Sequence, residues 1–278
     1  MKKQEKYLNH HIHSTGSDGK AKPEEIVLEA IRKGFSFICF TDHNKNEDPN
    51  SWGHAFFSED YVKEVLRLKK EFKDKIQIGF GIEIDWREGG EKNIIKKIKS
   101  YPLDFVLGSV HYVRSYDGSD LKINFNKERI LQEINKIGIN SIIRDYYKQI
   151  QLLAKSKLVD CIAHLDVFKT FNKNNCLFDE SSEFYKEQVL ETLKVIKENN
   201  VCMEINTSGN IYDCNAMFPS EWILKEAHKL GIPITIGADT HWIERIDDGI
   251  KEAYKLAKKV GYKEILIFKN RKPVKIKI

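Results

Sequence analysis

Short runs of β-branched and aromatic residues alternate with longer amphipathic stretches along the whole chain, and no other feature constrains the fold as much. Two parallel strands cannot be joined by a tight turn; the connection needs a dozen or more residues, usually a helix. Runs near 7–12, 36–40, 76–82, 104–109, 159–163, 201–205 and 234–237 predict strands, with an extra one near 264–268. Stretches near 23–33, 60–73, 91–99, 141–156, 181–199, 219–230 and 247–260 predict the helices between them. The first helix shows the basis: Pro23 stands where the first helical residue needs no N–H donor, Ile26, Val27, Ala30 and Ile31 share one face, and Gly34 suits the end. About seven β-α units around a parallel sheet make an α/β protein, and a barrel of such units accommodates about 250 residues as one body.

No Ser/Gly/Pro-rich linker, low-complexity tract or internal repeat divides the 278 residues, so a single domain over 1–278 is expected. The 46 Lys and Arg against 41 Asp and Glu leave a net charge of +5, spread along the chain apart from short clusters such as Lys69-Lys70 and the Lys269 to Lys277 tail. Phosphorylated substrates are allowed by that balance and not demanded by it. No apolar run is long enough to cross a bilayer. The five cysteines, Cys39, Cys161, Cys176, Cys202 and Cys214, are odd in number and include no C-x-x-C pair, and the charged segment from Met1 to Lys6 is unlike a secretory signal. A reducing cytoplasm is the expected location. The longest irregular stretches, 42–59, 112–127 and 166–180, all follow strands and belong on one rim of a barrel, where lids or substrate loops sit.

Of nine histidines, six fall at or just beyond the end of a predicted strand: His11, His13, His43, His111, His164 and His241. Asp42, Glu83, Asp166, Glu204 and Asp239 occupy comparable places. In a parallel barrel the C-terminal strand ends converge on one rim, so these residues become neighbours. Taken singly, a buried histidine or acid is more often a hydrogen-bonded structural residue than a ligand. Taken together they would need many unrelated structural reasons. Imidazole and carboxylate donors suit divalent Zn, Mn or Fe, and so many donors exceed what one ion needs.

These residues carry a family resemblance. H-I-H-S with S-D-G following, T-D-H at 41–43, G-I-E at 81–83, G-S-V-H at 108–111, H-L-D at 164–166 and G-A-D-T-H at 237–241 resemble the ordered motifs of the polymerase and histidinol phosphatase (PHP) superfamily over nearly the whole chain. D-F-V-L-G-S-V-H, A-H-L-D-V-F-K, E-I-N-T-S-G and the closing F-K-N-R-K-P are similar to its histidinol-phosphatase branch. The resemblance implies a distorted (β/α)7, TIM-like barrel with a trinuclear centre that hydrolyses L-histidinol phosphate to L-histidinol and phosphate in histidine biosynthesis. It assigns His11, His13, Glu83 and Asp239 to one metal, Glu83 as a bridge with His111 and His164 to a second, and Asp18, His43 and His241 to a third. Asn9 departs from the Asp that many relatives carry before the H-x-H pair, which points to a change in how the ligands are oriented rather than in metal number.

A phosphomonoester dianion repels hydroxide, so clustered dications that activate water and bind phosphate oxygens suit the reaction, and no side-chain nucleophile is needed. Asp239, Glu83 and His241 are the residues placed in the chemistry, Asp239 as the group that orients the water or accepts its proton. Lys169, Arg114, Arg245 and Asn206, with Thr207 and Ser208, are the candidate substrate-binding groups, against the alternative of solvated charges and turn caps. Asp166, Asp85, Glu204 and Asn206 are the candidate acceptors for a substrate amine and imidazole, and Trp86, Tyr112 and Trp242 candidate walls. Asp42 is read as fixing the tautomer of His43, and His10, His54 and His228 as ordinary residues. The partner expected is a small-molecule phosphomonoester, with no membrane and no nucleic acid. The rivals are a PHP nuclease or nucleotide phosphoesterase, against which stand the lack of an inserted helical domain and of an aromatic-studded basic stretch, and a metal-binding scaffold without turnover.

Overall fold

The computed structural model describes residues 7–43 and 57–278. In chain order the strands of its main sheet are β1 (Leu8–Ile12), β2 (Phe37–Phe40), β3 (Gln77–Asp85) and β4 (Phe105–Ser109). A short hairpin, β5 (Tyr112–Arg114) and β6 (Asp120–Lys122), intervenes before β7 (Cys161–Ile162), β8 (Cys202–Asn206) and β9 (Ile234–Gly237). The main sheet runs β1-β2-β3-β4-β7-β8-β9 with every pair parallel. Each crossover leads to the next strand in line, which winds a sheet into a barrel instead of an open doubly wound sheet. The two ends meet: His13 N donates to Thr240 O (2.9 Å) and Thr240 N to His11 O (3.1 Å). The seven strands thus form a nearly closed parallel barrel.

Nearly every strand residue is buried, as expected of parallel strands covered on both faces. The covering helices are α1 (Pro23–Arg32), α2 (Glu59–Glu71), α3 (Glu91–Ser100), α4 (Lys127–Ile137), α5 (Ile139–Ser156), α6 (Glu183–Glu198), α7 (Glu221–Lys229) and α8 (Ile250–Val260). Local chemistry starts them. Ser58, Asn126 and Ser182 accept the N–H three residues on, and in α1 the Glu25 carboxylate reaches back to Lys22 N (2.8 Å) while Ile26, Val27 and Ala30 turn inward.

The last predicted strand is present as β10 (Glu264–Lys269), but it pairs antiparallel with β11 (Lys272–Lys277) outside the barrel. The hairpin tip covers the N-terminal end: Arg271 bonds Asp160 and Leu158 O, Asn270 N bonds Asp104, and Phe268 stacks 4.9 Å from Phe105. The opposite rim is therefore the one left open for chemistry. There the expectation of an irregular 112–127 is corrected, since the stretch holds β5, β6 and the start of α4. Strands of three residues are too short to show a period of two, although the Asp117-Gly118-Ser119 turn between them carried a hairpin signal, with Gly118 at φ +81°. Residues 166–180 contain two 3₁₀ turns, Val167–Phe171 and Lys173–Asn175. Most of 42–59, with His54, lies outside the described residues. Among the described residues no helix is long and apolar enough to cross a membrane.

Candidate metal centre

The open rim gathers the imidazoles and carboxylates around Glu83. Strand alternation puts His11 and His13 on one face of β1 and its continuation, and the register of β3 brings Glu83 beside His43. Glu83 Oε2 lies 3.1 Å from His11 Nε2, 3.3 Å from His13 Nε2 and 3.3 Å from His43 Nε2, while Oε1 lies 3.3 Å from His164 Nε2. Asp239 Oδ1 stands 3.5 Å from His11 Nε2, 3.4 Å from His13 Nε2 and 3.5 Å from His241 Nδ1. Three groups of side chains can each surround an ion: His11, His13 and Glu83; Glu83, His111 and His164; and His13, Asp18, His43 and His241. The third group includes His13, which the resemblance placed only with the first. Asp18 reaches it with Oδ1 3.5 Å from His241 Nε2 and 3.7 Å from His13 Nδ1.

The donor set fits divalent cations. His11 Nε2 and His13 Nε2 face each other at 3.1 Å, with Glu83 Oε2 and Asp239 Oδ1 beside both. Ligands held about 2.1 Å from a tetrahedral ion lie about 3.4 Å from each other, close to the separations found here. Burial opposes ionisation of Glu83, yet the charges of His43 and His11 and hydrogen bonds from His11 and His13 hold its carboxyl well below the usual range. Asp239 is held low in the same way, burial being outweighed by His11, His13 and His241. His13 responds reciprocally: burial lowers its pKa, but hydrogen bonds to Asp239 and Glu83 raise it to about 9.

Behind the ligands stand groups that fix their orientation. His11 Nδ1 bonds Glu204 Oε1 (2.8 Å), which turns Nε2 toward Glu83. Glu204 Oε2 accepts from His164 N (3.0 Å) and Asn206 Nδ2 (2.9 Å). This approach needs Gly237, where a Cβ would lie 2.2 Å from Glu204 Oε1. His111 Nδ1 pairs with Asp85, and His241 Nδ1 lies 3.0 Å from Asp239 O. Asn9 is buried: its Oδ1 accepts from His11 N and Ala238 N, and its Nδ2 donates to Ile246 O (2.9 Å) and Thr240 Oγ1 (3.3 Å). An aspartate could not make the last two bonds. Asn9 thereby ties β1 to the segment after β9 and helps hold Asp239 at φ +52°, a left-handed conformation costing about 1–3 kcal/mol.

Several sequence expectations are corrected. Glu204 and Asn206 are buried against protein partners, the second with Oδ1 accepting from Ser208 N and Oγ, so they do not greet a substrate amine, and Asp85 pairs with His111. Asp166 is buried and accepts from Lys169 Nζ, Ser220 N and Ser220 Oγ. Lys169, expected at the phosphate, is 1% exposed, with its three protons directed at Asp166 Oδ2 (2.8 Å), Met217 O (3.0 Å) and Ser220 Oγ (2.6 Å). Arg114 sits exposed on β5, with its guanidinium bonded to Gly118 O. Trp86 is buried and donates to Gln149, a packing role. Asp42 bonds Ser14 and Ser17 and fixes a turn, not the tautomer of His43. His10 is buried against Ile236 O and Phe37, and His228 packs beside Tyr262, both as expected of ordinary residues.

Arg245 lines a cavity of about 200 Å³ together with Thr207, Ser208, Tyr212, Asp239, His241 and Trp242. Its Nε bonds Asp248 (2.7 Å), and Ser208 Oγ lies 3.3 Å from Asp239 Oδ2. Tyr212 was not expected there. Its ring follows a 3₁₀ turn that gives no sequence signal.

Comparison with known proteins agrees with this geometry. The PHP domain matches residues 9–208. The chain is 30% identical to the histidinol-phosphatase of Lactococcus lactis, over 97% of this chain and 99% of that protein, and 29% identical to that of Bacillus subtilis, over 83% and 92%. The crystal structure of the Lactococcus lactis histidinol phosphate phosphatase complexed with zinc, L-histidinol and phosphate superposes with a TM-score of 0.79 at 28% identity, covering 97% of this chain and 99% of that one. A domain match over most of the chain, full-length relatives and a common barrel converge, and the chain belongs to the PHP family, in its histidinol-phosphatase branch.

Proposed function

We infer that this chain is a histidinol-phosphatase, hydrolysing L-histidinol phosphate to L-histidinol and phosphate, with residues 1–278 as one phosphoesterase domain. The observation that carries the phosphoesterase reading is the convergence of four imidazoles on the two oxygens of Glu83, flanked by Asp239 and by the Asp18–His241 pair. Substrate identity rests on full-length similarity to histidinol-phosphatases. The residues would hold three divalent transition ions, Zn, Mn or Fe: one on His11, His13, Glu83 and Asp239, one on Glu83, His111 and His164, and one on Asp18, His43 and His241 with His13 beside them. Bound there, such ions supply an activated water and neutralise phosphate oxygens.

The chain's own groups complete the site. Asp239, with Oδ2 beside Ser208, would orient the attacking water or accept its proton, and His241, with Nδ1 against Asp239 O, would stand beside it at the reacting centre. Arg245 faces the phosphate from the adjoining cavity. Tyr212 and Trp242 wall the imidazole of the leaving group, and the Asp248 carboxylate at the same cavity accepts from its amine. A simple alkyl or aryl phosphate makes neither contact, so kcat/KM for L-histidinol phosphate is expected to exceed that for such a phosphate at least about a hundredfold. Phosphate release from both substrates and from short oligonucleotides, at one pH and metal loading, tests the reading. A ratio near one, or faster cleavage of oligonucleotides, refutes it.

A further inference from the structure

The aspartate before His43 has a position that its neighbour does not explain. Asp42 is completely buried just after β2, and its carboxylate is bonded to the 14–18 turn. Oδ1 accepts from Ser14 N (2.7 Å) and Ser17 Oγ (2.6 Å); Oδ2 accepts from Ser14 Oγ (2.8 Å) and from the hydroxyl of Tyr61 on α2. Four donors occupy the about four acceptor sites of one carboxylate. Burial, and then the charge of Asp42, push the ionisation of Tyr61 well above its ordinary value, so the phenol keeps its proton and acts as the donor. The turn is also seated on the Tyr61 ring: a Cβ at Gly16 would lie 2.3 Å from it.

What this turn presents is Asp18. Ser17 connects the brace to the ligands, because its hydroxyl lies 2.6 Å from Asp42, 3.2 Å from Asp18 Oδ1 and 3.5 Å from His13 Nδ1. The Asp18 side chain is 32% exposed, whereas Glu83 in the other two groups is 1% exposed. The outermost ligand of the site therefore depends on a surface turn whose shape comes from a buried carboxylate on another strand.

We propose that Asp42, anchored by Tyr61 and acting through Ser17, is the positioning residue of the Asp18–His43–His241 subsite, and that this brace sets the affinity of that subsite for a divalent cation independently of the other two. The proposal rests on the trinuclear reading above. Orienting groups behind metal ligands typically control affinity by 10–100-fold. In Asp42→Asn the amide oxygen stays on Ser14 N, which cannot reverse, and the NH2 displaces the hydroxyl donors on the other side, loosening the turn without emptying the core. Ser17→Ala removes the hydroxyl that stands between Asp42 and Asp18 while leaving the other three donors on Asp42 in place, and guards against a misfolded Asp42 variant.

The test is equilibrium dialysis of metal-free wild type, Asp42→Asn and Ser17→Ala against zinc held at a series of buffered free concentrations, with bound zinc counted by elemental analysis. Expected are three equivalents in the wild type. Each variant should keep two equivalents at unchanged concentration and take up the third only at about ten- to hundredfold higher free zinc. Three equivalents in both variants at wild-type concentrations refute the brace alone. Loss of all three together also refutes it, as the mark of general destabilisation. A wild type that saturates at two equivalents refutes the trinuclear reading and the brace with it.

Discussion

Replacing Glu204 by glutamine changes one oxygen to an NH2 with almost no change of shape, and the surrounding donors dictate how the amide must turn. One side of the carboxylate faces two donors, His164 N at 3.0 Å and Asn206 Nδ2 at 2.9 Å; the other faces His11 Nδ1 at 2.8 Å. A backbone N–H cannot reverse, and Asn206 cannot flip because its Oδ1 already accepts from Ser208 N and Oγ. Pointing the NH2 at that pair would leave two donors unmatched at about 1–3 kcal/mol each, so the NH2 points at His11. His11 must then accept at Nδ1 and carry its proton on Nε2, the nitrogen that faces Glu83 at 3.1 Å. A metal needs that nitrogen bare. Restoring the ligand tautomer costs one buried mismatch, about 1–3 kcal/mol, or roughly 5- to 150-fold in affinity. Metal-free Glu204→Gln should melt below wild type, because buried His11 loses a carboxylate that holds its pKa above the ordinary value. Competition with a chromophoric chelator should show zinc binding weakened by that factor at the tightest sites, and phosphate release restored by excess metal. Wild-type zinc affinity with a raised KM would refute the reasoning and return Glu204 to the role of substrate acceptor.

Lys169→Met should destabilise the fold by about 3–5 kcal/mol in urea unfolding, because it strands the buried Asp166 carboxylate, while KM for the phosphomonoester stays within about twofold; a large KM effect at unchanged stability would contradict the internal pairing. The pH response of the centre follows from His13, whose folded pKa of about 9 exceeds its ordinary 6.5. In the metal-free chain this pair stabilises fully below about 6.5 and its contribution is lost as pH rises through 9, worth about 3 kcal/mol at most. Metal needs the neutral ring, so the rise in Tm on adding zinc at constant free concentration should grow between pH 6.5 and 9, and a shift independent of pH would count against protons and metal competing for His13.

The seven barrel strands and the helices other than α4, which was not expected, are legible in the sequence because they are announced locally: a short β-branched or aromatic run, an amphipathic stretch, and in α1 a proline at the start and a glycine beyond the end. The ligand candidates are legible for the same reason, since a barrel sends every strand end to one rim and His11, His43, His111, His164 and His241 all follow such runs. What each acid at that rim does is another matter. Asp42, Glu83, Asp85, Asp166 and Glu204 look alike in sequence, each an acid at a strand end. Glu83 meets four imidazoles, Asp85 and Glu204 each orient one, Asp42 shapes a turn, and Asp166 neutralises a lysine inside the protein. Those roles depend on partners up to 193 positions away and on contacts of about 3 Å, such as the approach of Glu204 to His11 over the missing Cβ of Gly237. Lys169 went astray likewise: a 3₁₀ turn with no sequence period rolls its ammonium inward, and only the closed barrel supplies the Ser220 hydroxyl and Met217 carbonyl that keep it there. Strand and helix follow from short-range sterics and burial, which a local pattern records; hydrogen-bond partners are chosen by side-chain proximity across the barrel, which no local pattern contains.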